Sequence, residues 1–114
     1  MPVDLASEIR RSDLIFVGTV IEVGNDRVTF HVAELYKGQT GIRVSSQMDP
    51  MRFYVDSAAV GQRFVIFMRQ TSPNQFVVND CGSSQSGAEV PRIVRALRAA
   101  GLRSHPPTPP PPPG

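Results

Sequence analysis

Cysteine, histidine and long apolar runs are scarce in this 114-residue sequence. Its single cysteine, Cys81, cannot form a disulfide within the chain, so cysteine pairing says nothing about the redox compartment. The two histidines, His31 and His105, are too few and too far apart in the sequence to predict a metal site. No apolar run approaches the roughly 20 residues that a membrane-spanning helix needs. We therefore expect no metal, no cofactor and no membrane-spanning segment.

The sequence also has no large excess of positive or negative charge, and it shows no catalytic signature. Twelve Lys and Arg against ten Asp and Glu give a formal net charge of +2, which is too small to predict a nucleic-acid partner by itself. Cys81 would act as a nucleophile only with a base such as His31 within hydrogen-bond reach, and the spacing suggests no third, orienting group. A structural or residual cysteine is the better interpretation. We expect no catalytic residues and no enzyme activity.

What the sequence does contain is β-strand patterning, which is clearest near its start. The apolar, often β-branched residues 14–23 predict a strand that is buried on both faces, as in a sheet that curls onto itself. Gly18, in the middle, suits a sharp bend or a close approach of two backbones. Gly24-Asn25-Asp26 predicts a hairpin turn with positive φ. These features favour a small closed barrel.

Four more strands are predicted further along the chain. Residues 28–36 alternate between apolar and polar until the apolar pair Leu35-Tyr36 interrupts the pattern, which predicts a bulge near Ala33-Glu34. A half-buried third strand, a fourth strand buried on both faces and a fifth strand follow at residues 42–45, 63–69 and 76–78. The long connection between the third and fourth strands predicts a functional loop, a flap or a short helix.

Two helices are predicted to flank these strands. The first has Leu5 and Ile9 on one face and turns three charged residues toward water, namely Glu8, Arg10 and Arg11. The second ends at Gly101 and has an apolar stripe of Val90, Val94 and Leu97, widened by Ile93 and Ala100. Its arginines form the other side, which is usually a solvated face.

The fold class follows from these elements. We predict an all-β fold with flanking helices, in which residues 1–103 form a five-stranded, OB-like, partly open antiparallel barrel with a C-terminal helix. An immunoglobulin-like sandwich would need more strands. Residues 104–114 predict a Pro-rich disordered tail or spacer with extended polyproline II geometry. Such a tail could also be a ligand for an aromatic-lined groove, although a stiff spacer is the simpler interpretation.

Four segments occur in an order and spacing that resemble a known family. They read SDLIFVGTV at 12–20, VTFHV leading to LYKG at 28–38, VGQRFVIF at 60–67 and NDCG at 79–82. From Leu5 to about Leu97 the chain resembles netrin modules and tissue-inhibitor-of-metalloproteinase-like domains. The resemblance implies an OB-like barrel outside the cytoplasm, extracellular or at the cell surface, that binds other proteins, with a protease as one candidate partner. If Met1 is the native start, a cytoplasmic location is expected instead.

The sequence departs from this family at its cysteines. In the inhibitors, an N-terminal Cys-Xaa-Cys chelates the catalytic zinc of the protease, whereas this chain begins Met1-Pro2-Val3. Zinc-chelating inhibition therefore has no residues here to act through. Cys81 occupies the place of a late family cysteine whose partner near the N-terminus is absent. Either an upstream segment has been cut away, or the chain is a divergent member held together by its core alone.

A binding surface is expected at one end of the barrel, where residues 2–5 meet the connection 48–54, because long loops are common binding sites. The residues singled out there are Pro2, Val3, Met51, Arg52 and Tyr54. Membrane contact is expected only through an anchor beyond Gly114. The alternative function is an intracellular OB-fold nucleic-acid-binding domain that stacks bases on phenylalanines, but these residues alternate with aliphatic ones as core residues do. A purely structural module of a larger surface protein is a third possibility.

Overall fold

A computed structural model describes residues 5–48, 55–72, 75–78, 85–87 and 89–108. The strands are β1 (Leu14–Val23), β2 (Arg27–Lys37), β3 (Arg43–Gln47), β4 (Arg63–Ser72), β5 (Gln75–Val78) and β6 (Gln85–Ser86). The helices are α1 (Leu5–Arg11) and α2 (Glu89–Ala99), with a 3-10 turn at Ser57–Ala59. Both predicted helices and all five predicted strands are confirmed, and of the alternatives considered for the connection between β3 and β4, a short helix is present at Ser57–Ala59.

Five of the strands close into a barrel in the order β1-β2-β3-β5-β4, and β4 pairs back onto β1. All neighbours are antiparallel except β3 and β5, which lie parallel and share only two residue pairs, Ser46 with Phe76 and Gln47 with Val77. The two-residue β6 pairs with the first half of β4. This arrangement confirms the predicted five-stranded, all-β barrel with flanking helices, to which β6 is an addition.

Gly18 of β1 lies beside a bulge in β2. The pairing of the two strands shifts between Val17 and Gly18, which leaves Ala33 of β2 without a partner, as the alternation predicts. A Cβ atom on Gly18 would lie 2.7 Å from the carbonyl oxygen of His31. Only glycine allows the two backbones to approach this closely. Of the bend and the close approach considered for Gly18, the close approach is confirmed, and it lies at the predicted bulge.

The turn between β1 and β2 differs from the prediction. A hairpin is present, and the Gly24 N–H donates to the Arg27 carbonyl at 2.7 Å. None of the residues Gly24-Asn25-Asp26 has a positive φ, however. The prediction of a positive-φ turn was therefore wrong, since this connection closes in the ordinary φ range.

Apolar side chains form two clusters on opposite sides of β1 and β4. The inner cluster fills the barrel, and its largest fully buried members are Phe16, Phe30, Leu14, Leu35, Ile66 and Met68. The outer cluster lies between the barrel wall and α2, and it includes Ile15, Val17, Val65, Phe67, Ile93 and Leu97. Successive residues of β1 and of β4 enter the two clusters in turn, which explains why both faces of these two strands are apolar. Ala100, predicted to widen the apolar stripe of α2, is exposed, because the helix has ended before it.

Glu8 of α1 corrects another expectation. It was predicted to face water, but it is only 1% exposed, and its Oε2 lies 3.1 Å from the Arg11 Nε. The Ser12 hydroxyl donates to the Glu8 carbonyl at 2.6 Å, and the Lys37 ammonium donates to the Ile9 carbonyl at 2.6 Å. The end of α1 is thus tied to the barrel, which turns Glu8 inward and leaves Arg11 to balance its charge.

No helix in the described ranges is long and apolar enough to span a membrane.

Candidate functional site

The residues predicted for protein binding lie outside the part of the chain that the structure describes. They are Pro2, Val3, Met51, Arg52 and Tyr54, and the same holds for Cys81. At the border of that region Met48 is buried in the inner cluster, and its N–H donates to the Asp26 carbonyl at 2.6 Å. The binding end of the barrel therefore stays a prediction. Among the described residues, no group of three or more His, Cys, Asp and Glu could hold a metal ion.

The described residues contain a different candidate site, which begins where β3 stops pairing with β2. The two strands pair from Arg27 to His31, and the Val32 N–H then donates to the Ile42 carbonyl at 2.8 Å. Beyond this point β2 continues to Lys37, but β3 does not reach so far. The chain returns to β3 through residues 38–41. We call the gap between residues 33–37 of β2 and residues 38–41 the β2 notch.

Residues 105–108 occupy the β2 notch. The His105 N–H donates to the Leu35 carbonyl, and the Leu35 N–H donates to the His105 carbonyl, both at 2.8 Å, which makes an antiparallel bridge. On the other side of the notch, the Thr108 N–H donates to the Thr40 carbonyl at 2.8 Å, and the Gln39 side-chain amide donates to the Thr108 hydroxyl. The segment predicted as a tail or spacer is thus held against the barrel over residues 105–108.

The composition of this segment fits the hydrogen bonds that it makes. The His105 Nε2 lies 3.0 Å from the Gly38 carbonyl oxygen. Since a carbonyl oxygen only accepts, Nε2 must carry the proton in this contact. Pro106 and Pro107 have no N–H, and they occupy the two positions between the donors His105 and Thr108. The prolines therefore cost the segment no hydrogen bond in the notch.

Gly38 shapes the wall of the notch. Its φ is +78°, and a Cβ atom there would lie 2.4 Å from the Asp13 carbonyl oxygen. Residues other than glycine rarely adopt this φ, and none fits so close to another backbone. Gly38 therefore lets the chain turn out of β2 against the start of β1, and its own carbonyl is left facing the His105 ring.

Tyr36 and Glu34 of β2 form a polar cluster with Arg98, near the end of α2. Tyr36 is 2% exposed, and its hydroxyl donates to the Glu34 Oε2 at 2.7 Å. Burial, followed by the hydrogen bond and the charge of Glu34, raises the pKa of Tyr36 above its usual value, while Arg98 acts in the opposite direction. Arg98 also lines an open cavity of about 390 Å³ with the residues that lead into the tail, Gly101, Leu102, Arg103 and Ser104.

The Tyr36 hydroxyl should make the protein less stable in alkali. Because its folded-state pKa is raised above about 10, the unfolded chain ionises first as the pH rises, and the stability due to the protonated hydroxyl is then lost. In urea unfolding between about pH 9 and 11.5, the free energy of unfolding should fall more steeply for the wild type than for Tyr36→Phe. At neutral pH, Tyr36→Phe should cost about 0.5–1.5 kcal/mol for the lost hydrogen bond.

Glu34→Gln is the matched variant for this measurement, because it keeps an acceptor beside the hydroxyl and removes the charge. As the pH rises, the free energy of unfolding of Glu34→Gln should fall less steeply than that of the wild type and more steeply than that of Tyr36→Phe. Identical slopes for wild type and Tyr36→Phe would show that Tyr36 does not titrate differently in the folded protein.

The outward face of β2 and β3 is polar rather than aromatic. Three cross-strand pairs lie there, Arg27 with Gln47, Thr29 with Ser45 and His31 with Arg43. Four of the five phenylalanines considered for base stacking are buried in the two clusters, namely Phe16, Phe30, Phe64 and Phe67. The fifth, Phe76, is half-buried against the inner cluster. Their placement confirms the interpretation of these residues as core.

The notch residues were missed in the sequence because their contacts are mostly made by main-chain atoms. His105 was considered only as a metal ligand, and Thr108 was one residue of a proline run. The one available signal is that the predicted third strand is shorter than the second, which leaves a sheet edge open. Comparison of the chain with protein-family models, with curated proteins and with solved structures finds no match.

Proposed function

We propose that the protein is a non-catalytic protein-binding module, and that the β2 notch receives an extended segment of its partner. The observation that supports this is the seating of residues 105–108, which make main-chain hydrogen bonds to both walls of the notch. Strand addition at an open sheet edge is a general mode of peptide recognition, in which main-chain bonds supply affinity and neighbouring side chains supply specificity. In this proposal, residues 105–108 occupy the position that the partner's segment would take.

The proposed setting is extracellular or at the cell surface. Its support is the resemblance of four segments to netrin modules, and the same resemblance makes a protease one class of partner to test. Zinc-chelating inhibition is not part of the proposal, because these 114 residues contain one cysteine and therefore no Cys-Xaa-Cys pair.

Releasing the tail within the full-length chain should open the notch to a peptide. His105→Pro removes both the N–H that bonds Leu35 and the ring that bonds Gly38. A fluorescent peptide copying residues 102–114 should then bind this variant at least about tenfold more tightly than the wild type, whose own tail competes at a high effective concentration. Fluorescence polarisation in a titration with protein measures both affinities.

Ser104→Pro is the matched control, since it adds a proline one position earlier at an exposed residue and keeps the bridge between His105 and Leu35. It should bind the peptide as weakly as the wild type does. Circular dichroism must show the same folded spectrum for all three proteins. If the folded His105→Pro variant binds no peptide, the notch is not a peptide site and the proposal is rejected.

Nucleic-acid binding is the second candidate, and one observation favours it. The side chains of Arg27, His31 and Arg43 lie together on the outward face of β2 and β3, and none of them has a side-chain partner among the described residues. The two candidates differ in their surface. Binding of a single-stranded oligonucleotide that weakens with salt and with the double change Arg27→Ala and Arg43→Ala, but ignores His105→Pro, would favour this candidate over the notch.

A further inference from the structure

We infer, on the basis of the proposed function, that the β2 notch selects its ligand by sequence. The geometry points to an extended polypeptide segment in which a residue with a side-chain donor is followed by two prolines and then by Thr or Ser. His105-Pro106-Pro107-Thr108 is the example within this chain. The first position, the two middle positions and the fourth position each meet a different requirement in the notch.

The first position must supply a main-chain donor, a main-chain acceptor and a side-chain donor. His105 exchanges both main-chain hydrogen bonds with Leu35, and its ring reaches the Gly38 carbonyl at 3.0 Å. Proline at this position would lose the N–H, and leucine would keep the bridge but leave the Gly38 carbonyl to water. The notch should therefore prefer His over Leu and exclude Pro here.

The two middle positions need no donor. The N–H groups that bond the walls belong to His105 and Thr108, so Pro106 and Pro107 sit where a missing N–H costs nothing. Proline also fixes φ near that of an extended chain, which reduces the conformational freedom that a ligand loses on binding. Two prolines between the anchoring residues therefore favour binding through preorganisation.

The fourth position must supply an N–H and a hydroxyl. The Thr108 N–H donates to the Thr40 carbonyl, and the Thr108 hydroxyl accepts from the Gln39 amide. Valine has nearly the shape of threonine but no acceptor oxygen, so it keeps the first of these bonds and loses the second. Gln39 is the side chain that would distinguish the two residues.

The prolines also fix the register of the segment. A slip that brings Pro106 opposite Leu35 removes the donor of the bridge. The opposite slip brings Pro107 opposite Thr40 and removes the second donor. Of these three registers, the observed one alone places an N–H at both anchoring positions, so the prolines disfavour a slip by one residue in either direction.

The test uses the full-length His105→Pro variant as the receptor and peptides copying residues 102–114 as probes. Peptides carrying His105→Leu or Thr108→Val should bind about 2- to 10-fold more weakly than the unchanged peptide, the effect of one lost hydrogen bond. A peptide carrying Thr108→Pro should bind more weakly than either. Adding Gln39→Ala to the receptor should abolish the difference between the Thr and Val peptides, as in a double-mutant cycle.

The outcomes separate this inference from the proposed function. If all four peptides bind equally well, the notch accepts strands without selecting them, and the inference fails while the proposed function stands. If the Val peptide stays weaker after Gln39→Ala, the role given to Gln39 is wrong. If no peptide binds, the proposed function itself fails.

Discussion

Phe30→Ala should lower the free energy of unfolding by about 3–5 kcal/mol, a large part of the total for a domain of this size. Phe30 is 0% exposed at the centre of the inner cluster. Its ring lies edge-to-face against Phe16, with centroids 5.6 Å apart, and against Phe64, with centroids 6.3 Å apart. Alanine would remove both contacts and leave a cavity that the closed barrel has little freedom to fill.

Urea unfolding measures this loss of stability, and two control variants are compared with it. Ile21→Ala changes an exposed apolar residue of β1 and should cost little, within about 1 kcal/mol. Phe30→Leu keeps most of the volume and should fall between the two. A loss below about 1.5 kcal/mol for Phe30→Ala would mean that the barrel interior repacks more readily than closed walls should allow.

Gly38→Ala should cost about 2–4 kcal/mol, because two separate penalties add at this residue. The positive φ of +78° disfavours any residue with a Cβ. The added atom would also lie 2.4 Å from the Asp13 carbonyl oxygen, a main-chain atom that cannot move aside without shifting β1. The same change moves the Gly38 carbonyl, so the hydrogen bond to the His105 ring should weaken with it.

Two other glycines separate these penalties. Gly61 has a φ of +92° but open space around its Cβ position, so Gly61→Ala should show the conformational cost alone, about 1–2 kcal/mol. Gly41 has neither a positive φ nor a neighbour within 4 Å, so Gly41→Ala should be nearly neutral. If thermal or urea unfolding finds the same loss at Gly38 and Gly61, the contact with Asp13 adds nothing to the cost.

The barrel could be predicted from the sequence because its determinants are side-chain patterns. Apolar residues on both faces of β1 and β4 predicted burial on both sides, and the interrupted alternation at Leu35-Tyr36 predicted the bulge at Ala33. Glu8 was placed wrongly because its burial depends on packing against the barrel and on Arg11, which helical periodicity does not encode.

The candidate site could not be predicted for a related reason. The hydrogen bonds that hold the tail are mainly main-chain bonds, and every residue type except proline has the same main-chain groups. What makes the notch is the difference in length between β2 and β3, together with a turn at Gly38 whose geometry depends on the distant residue Asp13. Composition suggested a spacer, since prolines are poor strand residues.

Gly18, in the middle of β1, also determines the register in which β1 pairs with β2. Hydrophobic alternation usually fixes the register of a strand, because a slip by one residue would turn its apolar side chains to water. In β1 such a slip would only exchange one apolar set for another between the two clusters, so alternation cannot choose between the alignments. Gly18 is the one residue of β1 that fits against the His31 carbonyl. The residue with no side chain is therefore the one that specifies where every other side chain of the strand points.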